Sequence, residues 1–338
     1  MNDPSDLKAI IGGVIHRESI INSRNQVLID QPGGSLSYAA AAFRLWSEKP
    51  GLISRVSQDL PEEFLAHYAR RGMIIDGITR NPSPHEMRAF YKVIDEDHYD
   101  TDNPIKHFAS LEKPLPNFLL GYSGLPFLKE NKIATSPITL QPEHLPTQFI
   151  QCSTALLCSI DFLSLSMLPP FLRMNGIKNL IIKPSSETMV PKYWNDVPVL
   201  VRGNTGLICT KKEAESLFLG KSENLVEMIE RLASFGLEFV VITCGKNGQF
   251  LFVRSDRRLF QIPAYPIQAV DCIHAVDAFA GGFLSGFLKY YDPLMATLHG
   301  NIAASLKLEG SGAFYLLDAL PELVQSRLEV LQGMVIKM

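Results

Sequence analysis

Short apolar runs separated by longer amphipathic stretches set the rhythm of this chain. Residues 9–15, 51–56, 117–121, 155–160, 179–183, 206–209 and 238–243 have the length and β-branched content of buried strands. Apolar positions recur at helical spacing over 36–46, 61–71, 162–175, 211–219, 224–235, 278–289 and 293–308. Strands alternating with helices predict a mainly parallel sheet covered by helices. Two stretches, 18–30 and 86–97, read as extended segments with no helix joining them to their neighbours. A further strand-like run, 264–270, leads into the small-residue helix that begins near 278. No repeat or low-complexity linker breaks the pattern, so residues 1–338 read as a single α/β domain.

Composition narrows the function classes. A chain of 338 residues with 46% hydrophobic content can bury a large core. Its formal net charge of −3 argues against a nucleic-acid or acidic-membrane surface. The five cysteines (Cys152, Cys158, Cys209, Cys244 and Cys272) lack metal-ligand spacing and read as reduced thiols. The polar residues 1–6 read as no secretory leader, and no apolar run reaches membrane-spanning length. A soluble cytoplasmic protein is the expectation.

The candidate chemistry begins at Asp271-Cys272-Ile273-His274-Ala275-Val276-Asp277-Ala278-Phe279-Ala280-Gly281-Gly282. An aspartate at such a junction sits beside a helix N-terminus, whose free N–H groups attract anions. The part from Asp277 onward resembles the C-terminal signature of the ribokinase-like (PfkB-type) carbohydrate kinases, whose junction reads Asp-Thr-Thr-Gly-Ala-Gly-Asp-Ala-Phe. Before Asp277 the pattern degenerates: His274 and Val276 replace two glycines, and Ile273 replaces a threonine. Pro32-Gly33-Gly34-Ser35, followed by an alanine-rich helix, resembles the family's N-terminal glycine pair; a plain turn would look the same. Val241-Ile242-Thr243-Cys244-Gly245-Lys246-Asn247-Gly248 resembles its nucleotide-binding turn, and Asn301 with Glu309-Gly310-Ser311-Gly312 resembles the part flanking the adenine. Taken in order, these motifs imply a three-layer α/β/α ribokinase-like fold, with a mainly parallel central sheet and a small β lid from about 16–30 and 86–97.

The resemblance also implies roles. Asp277 would be the catalytic base, and the backbone of His274, Ala275 and Val276 the anion hole. Were a turn to require positive φ at Val276, the strain would be about 1–3 kcal/mol. Gly33, Gly34, Tyr38 and Glu18 would contact the acceptor. Tyr38 stands where the family often has Asn, and Glu18, with His16 and Arg17 close by, reads equally as a solvated strand end. Thr243, Gly245, Gly248 and Asn301 would hold the nucleotide. Glu213 would order magnesium through water, in a Thr210-x-x-Glu213 pattern that is also a capping box. Lys183 stands where relatives carry an aspartate; it faces either phosphate or solvent.

ATP and Mg2+ are the implied cofactors, with a monovalent cation near Asp271. The implied partners are a sugar or nucleoside, with a homodimer through the lid and no nucleic acid or membrane. Two functions follow. One is an ATP-dependent phosphotransferase acting on a hydroxyl of a sugar or related small molecule. The other is a catalytically impaired pseudokinase that binds a sugar or nucleotide in a regulatory role. Survival of Asp277 and of Gly281-Gly282 favours the first.

Overall fold

The computed structural model describes residues 7, 9–47, 49–124 and 132–337. Its large sheet has ten strands: β1 (Ile10–Gly12), β4 (Gly51–Val56), β5 (Ile74–Arg80), β8 (Thr154–Cys158), β9 (Asn179–Lys183), β10 (Gly206–Thr210), β11 (Phe239–Thr243), β12 (Gln249–Val253), β13 (Arg258–Ile262) and β14 (Ile336–Lys337). Their spatial order is β14-β13-β12-β11-β10-β9-β8-β1-β4-β5. Strands β11 to β5 in that order pair in parallel, while β12, β13 and β14 extend the sheet antiparallel.

Alternation along each central strand builds the layers. Ile11, Leu156, Ile181, Ile208 and Val241 enter one core, with helices α1 (Ser35–Arg44), α2 (Glu62–Ala69), α8 (Ala275–Tyr290), α9 (Pro293–Leu308) and α10 (Pro321–Gln332). Their neighbours Ile10, Leu157, Ile182, Leu207 and Val240 enter the other, with α4 (Phe162–Met174), α5 (Val197–Val201), α6 (Lys211–Leu217) and α7 (Leu225–Ala233). Side chains two apart share a face, so strands buried on both faces must be apolar throughout. This is the three-layer arrangement that the strand–helix rhythm predicts.

A second sheet has four strands in the order β3-β2-β6-β7: β2 (His16–Ile21), β3 (Val27–Gly33), β6 (Arg88–Val93) and β7 (Tyr99–Asp100). Its strands come from the stretches 16–33 and 88–100. Helix α3 (Pro104–Ser110) follows it; Phe108 there packs with Ile21, Phe90 and Leu119. Residues 117–121, expected as a strand, instead form a 3-10 turn over Asn117–Leu119. Pro116 precedes it and Gly121 has φ +71°, so the stretch turns, and its apolar Leu119 fills the cluster beside the small sheet. Residues 264–270 are likewise not a strand. Pro263 and Pro266 deny ladder donors there, and the strand lies just before them in β13.

Helices α1 and α8 cross almost backbone to backbone. A Cβ on Gly281 would stand 1.9 Å from the Ala39 carbonyl oxygen, and one on Gly282 would be 2.6 Å from the Ala303 methyl. The small-residue run therefore sets the seat of the helix whose first turn carries Asp277. Gly281→Ala is expected to cost about 1–3 kcal/mol by forcing α8 off α1, read as a lower midpoint in urea unfolding.

Candidate active site

The parallel strands all end on one side of the large sheet, and strand order reverses at β1, between β4 and β8. Such a reversal opens a crevice at the carboxyl ends of the strands. Gly13, Ser159, Lys183 and Thr210 follow or end β1, β8, β9 and β10 there.

Glu18 comes in from the small sheet and is fully buried. Its Oε1 accepts the Gly34 N–H at 2.6 Å and lies 3.1 Å from His274 Nε2, while its Oε2 accepts the Tyr38 hydroxyl at 2.9 Å. A Cβ on Gly33 would fall 1.9 Å from the Glu18 Cδ, so only glycine fits. Gly34 has φ +83° and lies against the Val14 carbonyl. The glycine pair thus cradles the Glu18 carboxylate, which is not a solvated strand end. Arg17 faces elsewhere, paired with Asp30 and lying over the Phe118 ring.

His274 precedes α8 with φ +55°, the left-handed region that glycine adopts without strain. The strain of the missing glycines therefore falls on His274, whereas Val276 lies inside the helix. His274 Nδ1 is 2.7 Å from Asp277 Oδ2, and its ring stacks on Tyr38 with centroids 4.8 Å apart. The Tyr91 hydroxyl is 3.4 Å from Nε2. Ile273 packs with Ile20, Ala89, Tyr91 and Val93 of the small sheet, which explains an apolar side chain in place of threonine. The Ala275 N–H turns back to the Cys272 carbonyl at 3.3 Å.

Beyond Asp277 the row continues. The Ser159 hydroxyl is 3.4 Å from Asp277 Oδ1 and accepts from Lys183 Nζ at 3.0 Å. Lys183 Nζ is 3.2 Å from Glu213 Oε1, so the lysine points inward rather than to solvent. Glu213 also accepts from the Ser186 hydroxyl and, through Oε2, from the Thr210 N–H at 2.7 Å. The Glu213 N–H returns to Thr210 Oγ1, which completes the capping box. An ammonium thus sits on the carboxylate expected to order magnesium-bound water. Ser159, Ser186 and Tyr91 carried no sequence motif; a serine at the end of a buried strand is the only signal Ser159 offers.

Charge decides the state of this row. Burial alone would strip the proton from His274, but Glu18 and Asp277 outweigh it and raise the imidazole to about 9. Burial opposes ionisation of Asp277, yet Lys183 and His274 hold it below the usual carboxylate range. Glu18 is also lowered against its burial, mainly by His274. Burial opposes the Lys183 charge, and Glu213 and Asp277 reverse that and raise it. Burial lowers His16 to about 4, so it is neutral.

The nucleotide-side residues form a second group. Thr243 closes β11 and donates to the Cys209 carbonyl at 3.5 Å. Gly245 (φ +55°) and Gly248 (φ +82°) make the turn, and a Cβ on Gly248 would stand 2.0 Å from the Ile262 carbonyl oxygen. The tip of the small sheet reaches this turn: a Cβ on Gly245 would be 2.8 Å from Asp97 Oδ1. The Asn301 amide is fully engaged in the fold, with Gln249, the Pro263 carbonyl and the Tyr265 N–H. Asp271, expected beside a monovalent cation, is paired with Lys307. Its Oδ1 lies 2.9 Å and its carbonyl oxygen 2.6 Å from Lys307 Nζ, with both side chains fully buried.

Comparison with known proteins agrees with this architecture. Residues 176–319 match the model for "pfkB family carbohydrate kinase". A 2-dehydro-3-deoxygluconokinase of Haemophilus influenzae is 30% identical over 135 residues, covering 36% of this chain and 41% of that protein. The match therefore spans less than half of that relative's length. A cytidine kinase of Thermococcus kodakarensis is 23% identical over 264 residues, 77% of this chain and 82% of the other. A candidate ribokinase II of E. coli, solved with ATP and Mg2+, superposes with a TM-score of 0.69 at 16% identity, covering 96% of this chain and 99% of that one. Residues 176–319 thus resemble that family's domain, and the chain has the ribokinase fold.

The charge row predicts a pH profile of stability. His274, raised above its ordinary 6.5, contributes fully below pH 6.5, and that contribution is lost as pH rises through about 9. Glu18 and Asp277, both lowered, contribute above their ordinary 4.5 and 3.8 and lose that contribution as pH falls. In chelator-treated buffer, His274→Gln is expected to flatten the alkaline loss between pH 6.5 and 9 in denaturant unfolding. An unchanged alkaline limb would show that the imidazolium does not bridge the carboxylates.

Proposed function

We propose that this chain transfers the γ-phosphoryl group of ATP to a hydroxyl of a sugar or related small molecule. The observation that carries the reading is Asp277: a buried carboxylate in the first turn of a helix, kept ionised by Lys183 and His274, at the crevice of a ribokinase fold. An ionised carboxylate there accepts the acceptor's hydroxyl proton as its oxygen attacks phosphorus and ADP departs. Of the first-turn N–H groups of α8, that of Ala275 is taken by the Cys272 carbonyl, while those of Val276 and Asp277 lack intrahelical acceptors by geometry and suit the developing phosphoryl charge. The relatives' activities on sugars and nucleosides support the acceptor class, and nothing in the comparisons favours the impaired alternative.

Gly33, Gly34, Tyr38 and Glu18 form the acceptor side, with the Glu18 carboxylate as the hydroxyl-accepting group. Thr243, Gly245 and Gly248 form the nucleotide side, and Asn301 supports that side by pinning the loop at Pro263 and Tyr265 rather than by touching the base. Magnesium, when bound, neutralises phosphate charge. Glu213 fits poorly as its water-ordering group, because Lys183 already neutralises that carboxylate. Lys183 adds a fixed positive charge beside Ser159 and Asp277. A cytoplasmic location and a homodimer through the small sheet complete the reading, the latter supported by exposed Ile94 and Tyr99.

Asp277→Asn is expected to lower kcat by about 10²–10⁴-fold with the fold intact, measured by ADP release across a panel of sugars and nucleosides. Turnover that is undiminished in this variant removes Asp277 from the mechanism. Because Lys307 serves Asp271, replacing potassium by tetramethylammonium is expected to leave the rate unchanged. A strict potassium requirement would refute that expectation.

A further inference from the structure

Three potential ligand atoms converge where the small sheet meets α8. One ring nitrogen of His16, one carboxylate oxygen of Glu18 and one ring nitrogen of His274 all lie within 4.8 Å of one another. His16 and Glu18 are two residues apart on β2, so both side chains leave the same face of the strand. His274 approaches from the turn before α8. Glu18 Oε1 and His274 Nε2 are 3.1 Å apart. Two ligands on a tetrahedral ion with bonds of 2.0–2.1 Å stand about 3.3 Å apart. The His16 ring nitrogen lies within 4.8 Å of both.

The surroundings match those of a metal centre. In such centres, a ligating histidine usually gives its other ring N–H to a carboxylate, which fixes tautomer and orientation. Here Asp277 Oδ2 holds His274 Nδ1 at 2.7 Å, which turns Nε2 towards Glu18. The Glu18 carboxylate is oriented in turn by the Gly34 N–H and the Tyr38 hydroxyl. Two imidazoles and one carboxylate make a borderline-soft donor set that suits zinc and its neighbours, whereas magnesium prefers six oxygens. Three protein ligands leave a fourth position open, as in zinc sites that take water or a substrate oxygen.

We propose that His16, Glu18 and His274 bind one divalent transition-metal ion of the zinc class, with its open position towards the acceptor crevice. The site goes beyond the phosphotransfer reading but shares Glu18 and Asp277 with it; metal binding is read without turnover, so the two fail separately. A simpler account, in which His274 merely bridges two carboxylates, needs no His16. The metal centre does, so His16 separates the two.

The test is a cobalt(II) titration of chelator-stripped wild-type protein, followed by visible d–d absorption and by displacement with zinc. A single equivalent with tetrahedral-type bands is expected, unmoved by excess magnesium. His16→Gln and His16→Ala are each expected to weaken binding at least about tenfold, with circular dichroism used to confirm folding. If both fail to fold, His274→Gln serves as the second ligand variant, with the same loss expected. Absence of cobalt bands in the wild type would overturn the proposal. So would wild-type affinity in folded ligand variants, which would assign the ion elsewhere, or displacement by magnesium.

Discussion

The structure depends on one imidazole held between two buried carboxylates. His274 reaches Glu18 through one nitrogen and Asp277 through the other. Each of these charges would be costly to bury alone; paired and hydrogen-bonded, they hold one another in place. The residues around them follow from that arrangement. Gly33 lacks a side chain because the Glu18 carboxylate occupies its space. Tyr38 is buried with its hydroxyl on Glu18 and its ring on His274. His274 accepts a left-handed backbone that a glycine would hold at less strain.

The same logic extends in both directions along the crevice. From Asp277 the row runs through Ser159 to Lys183 and Glu213, alternating in charge from Glu18 onward. Behind it, Lys307 and Asp271 form a second buried pair, and Lys307 Nζ lies 5.5 Å from the centre of the Tyr38 ring. The departures at Lys183 and His274 therefore stand beside opposite buried charges. Lys183 compensates Glu213, Lys307 compensates Asp271, and His274 compensates Glu18. Read singly, each departure looks like loss of a site; read in space, they make one electrostatically closed arrangement around Asp277.

That arrangement needs a rigid frame, which the small residues of α1, α8 and α9 provide. Gly281 against Ala39, Gly282 against Ala303 and Gly300 against Phe279 let three helices approach to backbone contact. In the sequence this run looks like a ligand-binding signature. In the fold it is mainly a packing device, and it serves the site by seating the first turn of α8.

By itself, the amino-acid sequence determined the layers and the small sheet. Buried strands must be apolar on both faces, and helices must carry periodic apolar stripes, so 51–56, 179–183 and 293–308 were legible to the residue. It also marked Asp277, Glu18, Gly33 and Gly34, because short motifs survive without their neighbours. It misread 117–121 and 264–270, where apolar residues fill clusters while proline and glycine turn the chain, and it passed over β12, β13 and α10. Only the tertiary structure decided which charges meet. Lys183 and Glu213 are 30 residues apart, and Lys307 and Asp271 are 36 apart. A buried charge's partner is set by proximity in space, which local spacing does not encode.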